Sequence, residues 1–233
     1  MESSRGPQVV DLTTRQLSGE IRFSGSTLEP EALRQLAVVL EPVGGSRGRP
    51  GGTLGLQPDG SFSARVFEGR YDVFLLGESL ASSPEVVSGG VALASDLDLT
   101  VDQRLEAEVD LLDLTLGLTV DDASVEEGGT HQLELVPVAG AGRPTSTETR
   151  IPVERLTRSA GPATLRIFAG SYEARWRADP TDCPTGLPCL GHRIGAVDFA
   201  QAGPETLNVP VRSVAVELRQ QGEPWSTGSE DRG

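Results

Sequence analysis

Cys183 and Cys189 are the only cysteines of this 233-residue chain, with Pro-Thr-Gly-Leu-Pro between them. Paired, they would close a small loop worth about 2 kcal/mol in the chain-entropy account, which stiffens the loop more than it holds a fold. A disulfide there points to an oxidising compartment, outside the cytosol. Zinc is the alternative, since His192 stands three residues past Cys189 and His131 is the one other histidine. Four such ligands would have to converge on the metal. The spacing fits neither a zinc finger nor a redox Cys-x-x-Cys, so the expectation is a disulfide.

Carboxylates form two clusters. Asp96, Asp98 and Asp102 alternate with Leu97, Leu99 and Val101, which is the pattern of a strand with one wet face. Asp121, Asp122, Glu126 and Glu127 precede Gly128-Gly129. A loop could gather those oxygens around calcium, but a solvated turn before the two glycines is the simpler reading. Trp176 lies between Arg175 and Arg177, and an outward-facing ring there could stack on a sugar or pair with an arginine. Alternation from Tyr172 through Ala174 instead puts Trp176 on the Tyr172 face, toward a core.

Other chemistry is excluded by composition or context. Gly44-Gly-Ser-Arg-Gly48 spells G-x-S-x-G, but a nucleophile elbow needs a helix after it. Pro50-Gly51-Gly52 forbids that helix. The chain has no lysine, so no Walker lysine, and no G-x-G-x-x-G stands between a strand and a helix. A formal charge of −14 argues against nucleic acid and anionic membranes, whose binding is built on positive protein charge. No run approaches 18 apolar residues, so no transmembrane helix is expected. Met1 to Pro7 lacks the apolar h-region of a signal peptide. No cofactor is expected.

The elements that must position these residues come from a repeat. Arg65-Val-Phe-Glu-Gly-Arg-Tyr-Asp-Val73 returns as Arg166-Ile-Phe-Ala-Gly-Ser-Tyr-Glu-Ala174, an offset of 101. Val10-Asp11-Leu12 returns as Val109-Asp110-Leu111 and as Val209-Pro210-Val211. Leu36 to Val43 returns as Gln132 to Val138, with Leu40 and Leu135 separated by 95. After each Val-x-Leu or Val-x-Val anchor the apolar parity changes, so a strand there must switch its buried face. This predicts a segment that closes one unit and opens the next with almost no linker.

Local pattern supports strands. Phe62, Ala64 and Val66 alternate with polar neighbours after an Asp59-Gly60 turn signal. Gly69 and Gly170, each two residues before a tyrosine, read as tight turns joining antiparallel strands. Only Glu29 to Gln35 looks helical. The expectation is an all-β chain of tandem sandwiches: one repeat over 8–107, a second over 108–207, and the opening strand of a truncated third over 208–233. Aromatics are 4% of residues, so each core must rest on Val, Leu and Ala around a few rings.

The Phe-x-Gly-x-Tyr run feeding an alternating strand, with a Val-x-Val-type strand at the unit boundary, resembles carboxypeptidase-regulatory-like (transthyretin-like) and immunoglobulin-like repeats of bacterial surface proteins and lipoproteins. In its low lysine content and its cysteines it looks like the repeats of myxobacterial exported proteins. The resemblance implies a prealbumin-like sandwich, non-catalytic, arrayed along a stalk or appended to an enzyme, with no common ligand. The chain departs from it in long Gly- and Ser-rich connections such as Gly44 to Gly52.

These readings converge on a non-enzymatic structural or adhesive region of an exported, extracytoplasmic protein, with a cell-surface or protein partner. The alternative is a calcium- or carbohydrate-binding accessory module of an enzyme or receptor.

Overall fold

The computed structural model describes residues 12–25, 28–44, 52–77, 87–124, 132–138, 151–153, 162–177, 192–209, 219–220 and 223–224. The elements in chain order are β1 (Thr14–Ser24), α1 (Pro30–Arg34), β2 (Ala37–Pro42), β3 (Gly52–Gly55), β4 (Ser61–Phe67), β5 (Arg70–Leu76), β6 (Val87–Ser88), β7 (Gly90–Asp98) and β8 (Gln103–Val120). They continue with β9 (Ala123–Ser124), β10 (Gln132–Pro137), β11 (Ile151–Val153), β12 (Ala163–Phe168), β13 (Gly170–Arg177), β14 (His192–Phe199), β15 (Gly203–Val209), β16 (Arg219–Gln220) and β17 (Glu223–Pro224). Among the described residues the fold is all-β apart from the short α1.

β1 is antiparallel to β4 and parallel to the first half of β8. Its inward residues Leu17 and Ile21, with Phe62 and Val66 of β4, meet Val38, Leu40, Val73 and Leu75 from a second sheet ordered β3-β2-β5-β7. Two sheets closing on one apolar layer make a β-sandwich. Leu33 of α1 and Leu28 and Leu36 beside it pack into the same layer.

A second sandwich repeats the scheme. The latter half of β8 is antiparallel to β12 and parallel to β15, and the facing sheet is ordered β11-β10-β13-β14. Its core is built on Leu114, Leu116, Leu133, Leu135, Tyr172 and Phe199. The registers agree residue for residue. Leu17 pairs with Ala64 and Gln103, as Leu114 pairs with Leu165 and Gly203. Leu40 pairs with Val73 and Gly52, as Leu135 pairs with Ala174 and Ile151. The offsets of 101 and 95 read from sequence are the offsets of these pairings.

The Val10-Asp11-Leu12 anchor is displaced. Pairing fixes Leu17 on Leu114, an offset of 97, so Leu12 corresponds to Val109 and not to Leu111. A three-residue alternating string matches itself in two registers, and strand partners decide between them.

β8 is one uninterrupted strand of 18 residues. Its pairing with β1 ends at Asp110, and its pairing with β12 begins at Leu111. Leu111 and Leu112 are both buried, Leu111 in the first core and Leu112 in the second. This is the predicted change of buried face, accomplished within a continuous strand.

The turns at Gly69 and Gly170 differ from expectation. β4 belongs to the β1 sheet and β5 to the β2 sheet, so the chain crosses between sheets there instead of folding back as a hairpin. The same holds from β12 to β13. A tyrosine holds each crossing: the Tyr71 hydroxyl donates to the Phe67 carbonyl at 2.9 Å and the Tyr172 hydroxyl to the Phe168 carbonyl at 2.8 Å. The Asp59-Gly60 turn is tight: Gly60 has φ +81, and Asp59 Oδ1 accepts from the Ser61 backbone and hydroxyl. Those two donors hold the Asp59 carboxyl below its usual range.

Candidate functional site

β13 carries Trp176 inward because Tyr172, Ala174 and Trp176 share one parity of a strand. The ring is 1% exposed and packs with Val120 and Val209. A platform for a sugar needs an open ring face, so Trp176 is a core residue and does not form a ligand patch. Arg175 on the opposite parity bonds through Nε to Glu173, which also takes Arg193 Nη2 at 2.9 Å. Arg177 ends β13, and its side chain lies outside the described residues. Among the described side chains, Trp176 and Arg175 lie on opposite faces of β13 and form no common patch.

Cys183 and Cys189 lie outside the described residues, as do His131 and the side chain of His192, Glu126 and Glu127. Asp121 and Asp122 form the turn after β8, both in the left-handed region at φ +48 and +64. Asn208, the only asparagine of the chain, organises this turn. Asn208 Nδ2 donates to Asp122 Oδ1 at 2.8 Å, while Asn208 Oδ1 accepts from the Asp122 N–H at 3.1 Å and from the Thr119 hydroxyl at 3.2 Å. The Asp121 N–H donates to the Val209 carbonyl at 3.2 Å. At least one carboxylate oxygen of the calcium candidate is thus engaged in tying β8 to β15. Among the described residues no group of three or more His, Cys, Asp or Glu side chains gathers.

Asp96 also stands apart from the alternating face expected for it. It sits at φ +57 beside an irregularity of β7, pairs with Arg70 and donates its N–H to Asp72 Oδ1 at 2.8 Å. Asp98 accepts from the Thr100 N–H at 2.9 Å, which holds its carboxyl below the usual range. Asp102 accepts from the Gln16 N–H at 2.8 Å. Asp98 and Asp102 thus cap backbone while the Asp96 carboxylate is taken by Arg70, and the three do not gather as a metal-binding group.

The most elaborated feature is the joint. At its centre are Val109, Leu111 and Phe168, all inside the first core, although Phe168 belongs to β12 of the second sandwich. The Ala169 N–H donates to the Asp110 carbonyl at 2.9 Å. Beside them β6, a segment of the first sandwich, adds to the outer edge of β12 in parallel, with Val87 opposite Arg166 and Ser88 opposite Ile167. Arg166 also forms a two-point ion pair with Asp113 at 2.7 and 3.2 Å across the β12–β8 pair. The guanidinium is held above its ordinary value by that partner. The parity change marks this strand in the sequence, whereas nothing there marks β6.

No family model matches the chain, and no curated protein matches it. Among solved structures it is similar to the minor pilin of Streptococcus agalactiae, at 12% identity and a TM-score of 0.36, over 88% of this chain and 100% of that one. It is also similar to a DUF3823 family protein from Parabacteroides merdae, at 15% identity and a TM-score of 0.29, over 82% of this chain and 100% of that one. A third similarity is to the Bacillus anthracis TIE protein, at 12% identity and a TM-score of 0.27, over 85% of this chain. The chain spans 33% of the TIE protein chain. No helix among the described residues is long and apolar enough to cross a membrane.

Proposed function

We propose that the chain is a non-enzymatic structural and adhesive array of an exported bacterial protein, made of repeats over 8–107 and 108–207 and opening a third over 208–233. The observation that carries this reading is β8, a single strand that finishes one sandwich and begins the next. A strand paired on both sides of the joint permits no free hinge, and a stiff spacer needs that property. At about 3.3 Å per residue its 18 residues extend roughly 60 Å. Extracytoplasmic placement follows from the disulfide expected between Cys183 and Cys189, and the acidic charge suits a soluble surface segment.

Solution X-ray scattering tests the stiffness. A compact globule of this length has a radius of gyration of about 17 Å; the array reading expects a clearly larger value. Inserting Gly-Ser-Gly-Ser between Asp110 and Leu111 should then broaden the distribution of distances. A globular radius, or a profile indifferent to the insertion, rejects the spacer. Protease applied to intact producing cells tests the compartment, and resistance until lysis would count against it.

A further inference from the structure

Each sandwich has a leading end, where its first strand enters and where β4, or β12, finishes. In the second sandwich this end is sealed by the first. In the first sandwich nothing among the described residues seals the same end, and register equivalence shows the contrast. Phe67 corresponds to Phe168 and Leu12 to Val109. Phe168 is 0% and Val109 4% exposed, whereas Phe67 is 53% and Leu12 64% exposed. The local framework is the same at both ends: Glu68 N–H donates to the Thr13 carbonyl at 3.0 Å, as Ala169 N–H does to the Asp110 carbonyl at 2.9 Å. Phe67 pairs off Thr14 as Phe168 pairs off Leu111.

The strand edge repeats the contrast. β12 receives β6 on its outer edge at Arg166 and Ile167. Its counterpart β4 has Arg65 and Val66 at those positions, and among the described residues nothing pairs with that edge. Not every apolar residue at this end takes part. Val43 corresponds to Val138, and both are exposed; Val101 is exposed, and Gln201, its counterpart, is exposed too.

We propose that Leu12, Phe67 and the free edge of β4 form a socket for a preceding sandwich of the same kind, joined through a chain that leads into Leu12. That sandwich would cover the pair as the first sandwich covers Val109 and Phe168, and would lay a β6-like segment along Arg65 and Val66. Two side chains of this size offer on the order of 250 Å², far below the ~1,200 Å² at which independent partners hold together. Covalent continuity supplies what area does not, because it raises effective concentration. This favours a neighbour on the same chain over a second copy in solution.

The experiment splices an extra copy of residues 12–108 directly ahead of Leu12, so that residue 108 leads into Leu12 as it already leads into Val109. The added copy carries Phe67→Leu to give its peptides a distinct mass. Hydroxyl-radical footprinting should show Leu12 and Phe67 of the original sandwich protected at least about fivefold relative to the unextended chain, with Val43 and Val101 unchanged. Phe67→Ser should move the melting midpoint of the unextended chain by less than about 2 °C and that of the extended chain by about 5 °C more. Unchanged reactivity, or equal shifts, overturns the socket. Two other outcomes also overturn it: higher reactivity at Phe67 once residues 1–11 are removed, which assigns the cover to that segment, and concentration-dependent sedimentation abolished by Phe67→Ser, which assigns it to a second copy. The inference rests on the array reading, which scattering from the unextended chain tests separately.

Discussion

Tyr71 and Tyr172 show how the same residue, doing the same work, acquires different weight from its surroundings. Each hydroxyl donates to the carbonyl four residues back and so fixes a crossing between sheets. Tyr172 is almost wholly buried against Phe199, and burial pushes its phenol far above the ordinary range; Tyr71 is raised for the same reason. Tyr172→Phe leaves a buried carbonyl short of a donor and should lower stability by about 1–2 kcal/mol, with Tyr71→Phe costing about half that, as read by urea unfolding. The native state keeps the Tyr172 proton at a pH where the unfolded chain, with a phenol near 10, has begun to release it. The contribution is therefore complete below about pH 10 and falls as pH rises beyond it. Tyrosinate absorbance should develop together with loss of the strand circular dichroism signal, and Tyr172→Phe should show a shallower decline of stability between pH 9 and 11.

At the scale of elements, the strands whose side chains alternate cleanly were legible. Phe62, Ala64 and Val66 declare their face by period alone, and the tyrosine run declares its counterpart by composition. The crossing at Gly69 was not legible, because a glycine two residues before a tyrosine reads alike whether the chain folds back within a sheet or passes to the other one. Partner choice there depends on β1 and β2, which are distant in sequence. The alternation that buries Trp176 was also legible, whereas the exposure of Phe67 was not. Phe67 and Phe168 stand in matching strings, and only the presence of a neighbour separates them. The Asp59-Gly60 turn gives a test at this scale. A Cβ on Gly60 would stand 2.5 Å from the Ile21 carbonyl oxygen at φ +81, so Gly60→Ala should cost on the order of 2–3 kcal/mol. Gly55→Ala, with nothing within 4 Å of the added carbon, should stay within about 0.5 kcal/mol in the same thermal melt.

For the whole molecule, the two sandwiches share more than a boundary. A core residue of one is supplied by the other, β6 crosses to its neighbour's edge, and β8 belongs to both. The direction of the strands has a mechanical consequence. The chain enters the first sandwich at the start of β1 and leaves it along β8, which lies parallel to β1 over Leu17 to Ser24; it leaves the second along β15, parallel to β8 over Leu114 to Val120. Tension applied through the two ends would drag each entering strand against its exiting partner lengthwise. The rungs between them would share the strain at once instead of parting one after another, as in the opening of a hairpin. Pulled by its termini in an optical trap or atomic force microscope, the chain should yield abruptly at high force, and much more easily when pulled across the β1–β4 pair. Equal forces in the two directions would show that the parallel pairs do not resist traction.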